Sequence, residues 1–131
     1  MNTENFIRVV SAAALAFATS LAMSTSASAA DGQYAKAEHN YNTYCVQCHG
    51  VNRNGKGINS TNMSVQPRDH SDAKGMADIP DSELFDVIKN GGLAANKSVL
   101  MPVWGNVMND DEINEMVKYL RVVCKCGQPN K

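Results

Sequence analysis

Two cysteines and a histidine in the run Cys45-Val46-Gln47-Cys48-His49 carry the clearest chemistry in the chain. Cys-x-x-Cys-His is the spacing used for covalent attachment of c-type haem. Sulfurs placed this way can reach the two vinyl groups of one porphyrin as thioethers, and the adjoining imidazole then falls beneath the iron as its proximal ligand. Three other chemistries use some of the same atoms. A thioredoxin-type dithiol shares the Cys-x-x-Cys, but it sits at a strand-to-helix junction in a mixed sheet, and the sequence has no alternating strand pattern. Zinc held by Cys45, Cys48, Cys124 and Cys126 would use four thiolates, yet the second pair is a tight Cys-x-Cys and His49 has no part in it. A plain disulfide framework suits a small exported chain with an even cysteine count. Haem attachment alone uses both thiols and the histidine together.

A haem iron with one imidazole ligand needs a sixth ligand or keeps an open position, and the choice separates electron transfer from small-molecule chemistry. The side chains available are Met63, Met76, Met101, Met108, Met116, His39 and His70. Met116 continues the apolar face of a helix and reads as core. Met108 precedes a helix cap, where an apolar residue staples the incoming chain. Met63 and Met76 fall in a long loop with nothing local to fix them. His70, between Asp69 and Asp72, reads as a solvated loop histidine. Met101 stands in the stiff apolar run Leu100-Met101-Pro102-Val103-Trp104-Gly105, where proline fixes the chain direction and helps hold a thioether in place. Met101 is therefore the expected second axial ligand, with a gap-filling core methionine as the plain alternative.

These groups must be positioned by a small domain. The chain has 131 residues, 44% hydrophobic and 19% charged, with a formal net charge of −1. That balance excludes a disordered polyelectrolyte and a basic nucleic-acid binder. Only 6% of residues are aromatic, so a cofactor adding apolar bulk would help fill the interior. Residues 1–30 read as a cleavable export signal: Arg8, an apolar run from Val9 to Met23, then small residues through Ala30. The run is short for a membrane span, which needs roughly 20 apolar residues. The mature domain is expected to cover residues 31–131, with no membrane span after cleavage and a periplasmic location.

Three helices are predicted. Gln33 to Tyr44 places Tyr34, Ala37, Tyr41 and Tyr44 on one helical face. Asp81 to Asn90 follows Pro80 and stops at Gly91-Gly92. Asn109 to Val123 opens on an N-cap with Glu112 three positions on, and carries Ile113, Met116, Val117, Leu120 and Val123 as its apolar face. Gly50 to Ala77 reads as one long loop. So long a loop in so small a domain must be anchored, and a prosthetic group could provide the anchor. The class is all-α.

With these pieces in order, the chain resembles a class I c-type cytochrome over nearly the whole mature domain. The resemblance rests on an aromatic-bearing helix before Cys45-x-x-Cys48-His49-Gly50, on Met101-Pro102-x-Trp104-Gly105, and on a final helix ending in Tyr119-Leu120-Arg121. It implies a small cytochrome c-like fold, three main helices plus loops wrapped around one covalently bound haem c. It also implies that the first and last helices cross near the haem, Ala37 and Tyr41 meeting Tyr119 and Leu120. Ala37 departs from the family, which often has glycine there. The carbonyl of Pro67 is implied as the acceptor for the proximal imidazole. Trp104 and Arg68 are candidate partners for the haem propionates.

The function expected from His49 and Met101 ligation is a one-electron carrier, not an enzyme, exchanging electrons with exported or membrane-bound redox proteins. Lys56, Lys74 and Lys97 are candidates for the rim of an exposed haem edge. Two further functions stay open: a tightly bound haem c subunit of a dehydrogenase or reductase complex, and a ligand-binding haem protein if Met101 does not reach the iron. Cys124 and Cys126 flank Lys125 at the end of the last helix. A local disulfide with a structural role is expected there, with the terminus unwound at Gly127; an intermolecular bridge, a metal site and free thiols are the alternatives.

Overall fold

The computed structural model describes residues 32–127, so the expected export signal lies outside the described residues. Among the described residues every regular element is helical. The first helix differs from its expected course. Helix α1 covers Ala35–Asn40, a wide π-type turn takes Tyr41–Cys45, and the short helix α2 covers Val46–His49. A π turn holds more residues than an α turn, so the apolar face shifts as it passes through. Ala37 and Tyr41 are buried as expected, while Tyr44 is rotated to the surface, its ring tilted against Trp104 at 5.3 Å. Cys45 closes the π-type turn and Cys48 lies in α2, the last turn of this helical stretch.

The stretch from Gly50 to Ala77 is more ordered than its composition suggests. It contains a 3-10 turn at Ile58–Ser60 and the short helix α3 at Ala73–Ala77, started by Asp72, whose carboxylate accepts from the Lys74 N–H. Much of its anchor is the protein itself. The N–H groups of Gly55 and Gly57 donate to the carbonyls of His49 and Cys48 at 2.9 and 3.0 Å, satisfying the otherwise unpaired acceptors at the end of α2. Gly57 lies so close to the Gln47 carbonyl that a Cβ there would collide with it.

Helix α4, Asp81–Asn90, begins after Pro80 and buries Leu84 and Ile88. It ends at Gly91, whose φ of +79° is left-handed, and the chain then returns so that the Gly92 N–H donates to the Met101 carbonyl at 3.1 Å. Helix α5, Asp110–Cys124, starts with the expected capping box: Asn109 accepts from the Glu112 N–H at 3.0 Å and Glu112 accepts from the Asn109 N–H at 2.9 Å. Its buried face is Ile113, Met116, Val117, Tyr119, Leu120 and Cys124. Each such side chain contributes roughly 1.5–3 kcal/mol by leaving water.

α1 crosses α5 where the sequence placed the crossing, with the Tyr41 and Tyr119 rings 5.8 Å apart and Ala37 and Leu120 buried beside them. Arg53 pins this crossing from the loop. Its guanidinium donates to the Tyr119 hydroxyl at 2.6 Å and to Glu38 at 3.1 Å. Two residues further along α5, Arg121 donates to Asp81 at 2.8 Å and to the carbonyls of Met76 and Ile79, tying α5 to the α3–α4 corner. Cys124 and Cys126 are joined in a disulfide. The turn that allows it is made by Lys125, at φ +52°, rather than by Gly127.

Candidate functional site

A cavity of about 510 Å³ opens between these elements, within the roughly 300–1,000 Å³ typical of cofactor pockets. The α1–α2 stretch contributes Tyr44, Cys45, Cys48 and His49 to its wall. Helices α4 and α5 contribute Leu84, Ile88, Met116 and Leu120, and the segment after α4 contributes Met101, Pro102 and Trp104. Met63, Pro67, Arg68 and His70 come from the long loop. All the sequence-derived site residues therefore border one space.

Both thiols of the motif are free, in contrast to the bridged pair at the C-terminus. Burial pushes the Cys45 thiol up to about 12, with Cys48 adding to the effect. A redox dithiol needs the opposite shift, because the thiolate is the nucleophile. The thioredoxin-like reading also lacks its sheet among the described residues. The four-thiolate zinc reading fails on placement: Cys124 and Cys126 are bonded to each other, and no group of three or more histidine, cysteine, aspartate or glutamate side chains is placed to hold a metal among the described residues.

His49 Nδ1 lies 3.1 Å from the backbone carbonyl of Arg68. When Nδ1–H donates there, Nε2 keeps its lone pair for a metal. The expected acceptor was the carbonyl of Pro67, one residue earlier. The Pro67 carbonyl packs closely against Gly55, and the next carbonyl, that of Arg68, is the one that meets the imidazole. Burial holds His49 below the usual histidine range, opposed by the Arg68 bond.

Met101 is half-buried, with its N–H donating to Ser98 at 3.2 Å and its carbonyl accepting from Gly92. Met76, Met108 and Met116 are buried in the core, as expected for Met108 and Met116 but with Met76 fixed in α3 rather than loose in a loop. Met63 also borders the cavity. Trp104 is partly buried, and the Arg68 side chain is exposed at the rim. Lys97 borders the opening, whereas Lys56 and Lys74 do not.

His70 is the residue whose setting sequence reasoning missed. It is buried instead of solvated, Nδ1 lies 3.1 Å from the Tyr41 hydroxyl, and its ring stacks on His49 at 4.3 Å with 14° between planes. Burial, then the His49 and Arg68 charges, hold it well below the usual histidine range. Its two aspartate neighbours in sequence masked this, since nothing local reports a tyrosine 29 positions away.

The donor set fits a covalently attached haem: two free thiols, an imidazole with one nitrogen occupied by a carbonyl, and a thioether, all bordering one mainly apolar cavity. Comparison with known proteins agrees. Residues 32–120 match the family described as cytochrome c oxidase, cbb3-type, subunit III. A solved structure described as KustC0563 c-type cytochrome superposes with a TM-score of 0.52 at 21% identity, covering 66% of this chain and 95% of that one. At that identity the likeness establishes the fold. No curated protein matches the chain in sequence. The chain belongs to the cbb3-type cytochrome c oxidase subunit III family of c-type cytochromes, and with that membership come a covalently bound haem c and haem-based electron transfer.

Proposed function

We propose that Cys45 and Cys48 tether the haem through thioethers, that His49 and Met101 are its axial ligands, and that the domain is an exported, periplasmic carrier of single electrons. When bound, the haem supplies a one-electron ferric/ferrous couple, whose ferrous state a thioether ligand favours. The residues of the chain do the rest. The Arg68 carbonyl holds the Nδ1 proton of His49 and so orients Nε2. Gly92 and Ser98 fix the backbone on either side of the Met101 side chain. Leu84, Ile88, Met116 and Leu120 keep water from the interior of the cavity. Trp104 and Arg68 are the proposed partners of the propionates at its rim.

The observation that carries this reading is the convergence of both free thiols, the carbonyl-bonded imidazole and Met101 on one cavity. With both axial positions filled, the iron offers substrate no place to bind, and the domain exchanges electrons without chemistry on a small molecule. Residues 1–30 act as the export signal in this proposal, and the donor and acceptor are exported or membrane-bound redox proteins. Visible spectra of the purified ferric and ferrous protein, with and without carbon monoxide, test it. We expect a six-coordinate low-spin spectrum in both states and slow or no carbon monoxide binding; rapid binding to the native ferrous protein would remove Met101 from the iron.

The family description supports a second reading, a haem c subunit held in an oxidase complex. Sizing the protein in gentle native extracts separates the two. A carrier elutes alone, whereas a subunit co-elutes with an integral oxidase.

A further inference from the structure

The stacking of His70 on His49 has no role in the reading above, and a buried imidazole needs hydrogen-bond partners to offset the cost of leaving water. Its position is held from behind. The Tyr41 hydroxyl lies 3.1 Å from His70 Nδ1, Tyr41 is itself 1% exposed at the α1–α5 crossing, and the His70 N–H donates to the Arg53 carbonyl at 2.7 Å. Arg53 in turn is fixed through Tyr119 and Glu38. The His70 ring therefore has one orientation, nearly parallel to His49.

We propose that His70, held by Tyr41, is a positioning residue for His49, fixing the plane of that imidazole and supplying a polar ring against its face. The inference rests on His49 being an axial ligand. The Arg68 carbonyl holds His49 at Nδ1 and the iron would hold it at Nε2, and an imidazole held at its two nitrogens can still rock about the line that joins them. A second ring stacked on its face removes the rocking. The orientation of an axial imidazole sets how unpaired spin is spread over the four haem methyl groups in the ferric protein. A polar ring against the ligand, in place of an aliphatic one, also favours the more charged ferric state.

The test uses holoprotein of the wild type, Tyr41→Phe, His70→Leu and the double variant, read by ferric proton NMR and by spectroelectrochemical titration. We expect Tyr41→Phe to redistribute the hyperfine-shifted haem methyl resonances in the same sense as His70→Leu. The double variant should match His70→Leu alone, because Tyr41 acts through His70. His70→Leu should also move the ferric-to-ferrous ratio at fixed potential about threefold towards ferrous, roughly 30 mV for one electron. If His70→Leu does not fold, Tyr41→Phe alone carries the test, since phenylalanine preserves the buried ring. Folded variants with wild-type methyl shifts and wild-type potential would overturn the inference and leave His49 ligation standing. Wild-type spectra without an imidazole-ligated low-spin haem would remove the axial reading itself, and the inference with it.

Discussion

Around Cys48 and His49 the chain is held by contacts from several segments, whereas the Met101 segment is held mainly by turns within its own backbone. On the first side, Gly55 and Gly57 close over the end of α2, the Arg68 carbonyl meets the imidazole edge, and His70 covers its face. On the second, Leu93, Val99 and Val103, which do not border the cavity, are 68%, 71% and 47% exposed. Four backbone bonds hold that segment, from Gly92 to Met101, Asn96 to Leu93, Lys97 to Gly92 and Met101 to Ser98. The contrast predicts that the proposed attachment side depends on contacts between distant segments, and that losing the Met101 side chain leaves the fold in place.

The widest contrast should come from deleting each side's chemistry. Cys48→Ala is expected to abolish normal double attachment and most haem-staining holoprotein on a denaturing gel, while Met101→Ala keeps covalent haem at wild-type level. Equal loss in both would break the contrast. Met101→Ala should instead open the iron, so that its ferrous form binds carbon monoxide rapidly and its midpoint potential falls. Next in size, Gly57→Ala drives a methyl group into the Gln47 carbonyl and should cost about 1–3 kcal/mol of stability, read by denaturant unfolding. Smallest of all, Val99→Ser on the exposed segment should change stability by no more than about 0.5 kcal/mol. A Val99→Ser cost as large as that of Gly57→Ala would mean that the segment is packed far more tightly than its exposure indicates.

Where local chemistry determined the element, the sequence was readable. Pro80 and Gly91 bound α4, and Asn109 with Glu112 sets the start of α5, because caps act within one turn. The candidate site residues rest on the same kind of local signal, Cys45, Cys48 and His49 as a contiguous motif and Met101 beside a proline, and the fold brings all four to one cavity. What escaped was set by distance. The π-type turn at Tyr41–Cys45 leaves no mark on a helical pattern, and it moved Tyr44 off the buried face. Helix α3 hid inside a polar stretch, because only Met76 of its five residues is buried and its carbonyl is held from a distant element, by Arg121 of α5. The imidazole acceptor is the Arg68 carbonyl and not that of Pro67, again a contact between segments, 19 positions apart.

The central claim, that Met101 and no other methionine faces the iron opposite His49, is open to one direct measurement. Of the seven methionines in the chain, five lie beyond the proposed export signal. Holoprotein labelled with carbon-13 at the methionine methyl groups should show one strongly hyperfine-shifted methyl resonance in the ferric state, and Met101→Ala should erase that resonance while the other methyls stay in the ordinary range. A shifted methyl that survives in Met101→Ala, or none in the wild type, would contradict the account.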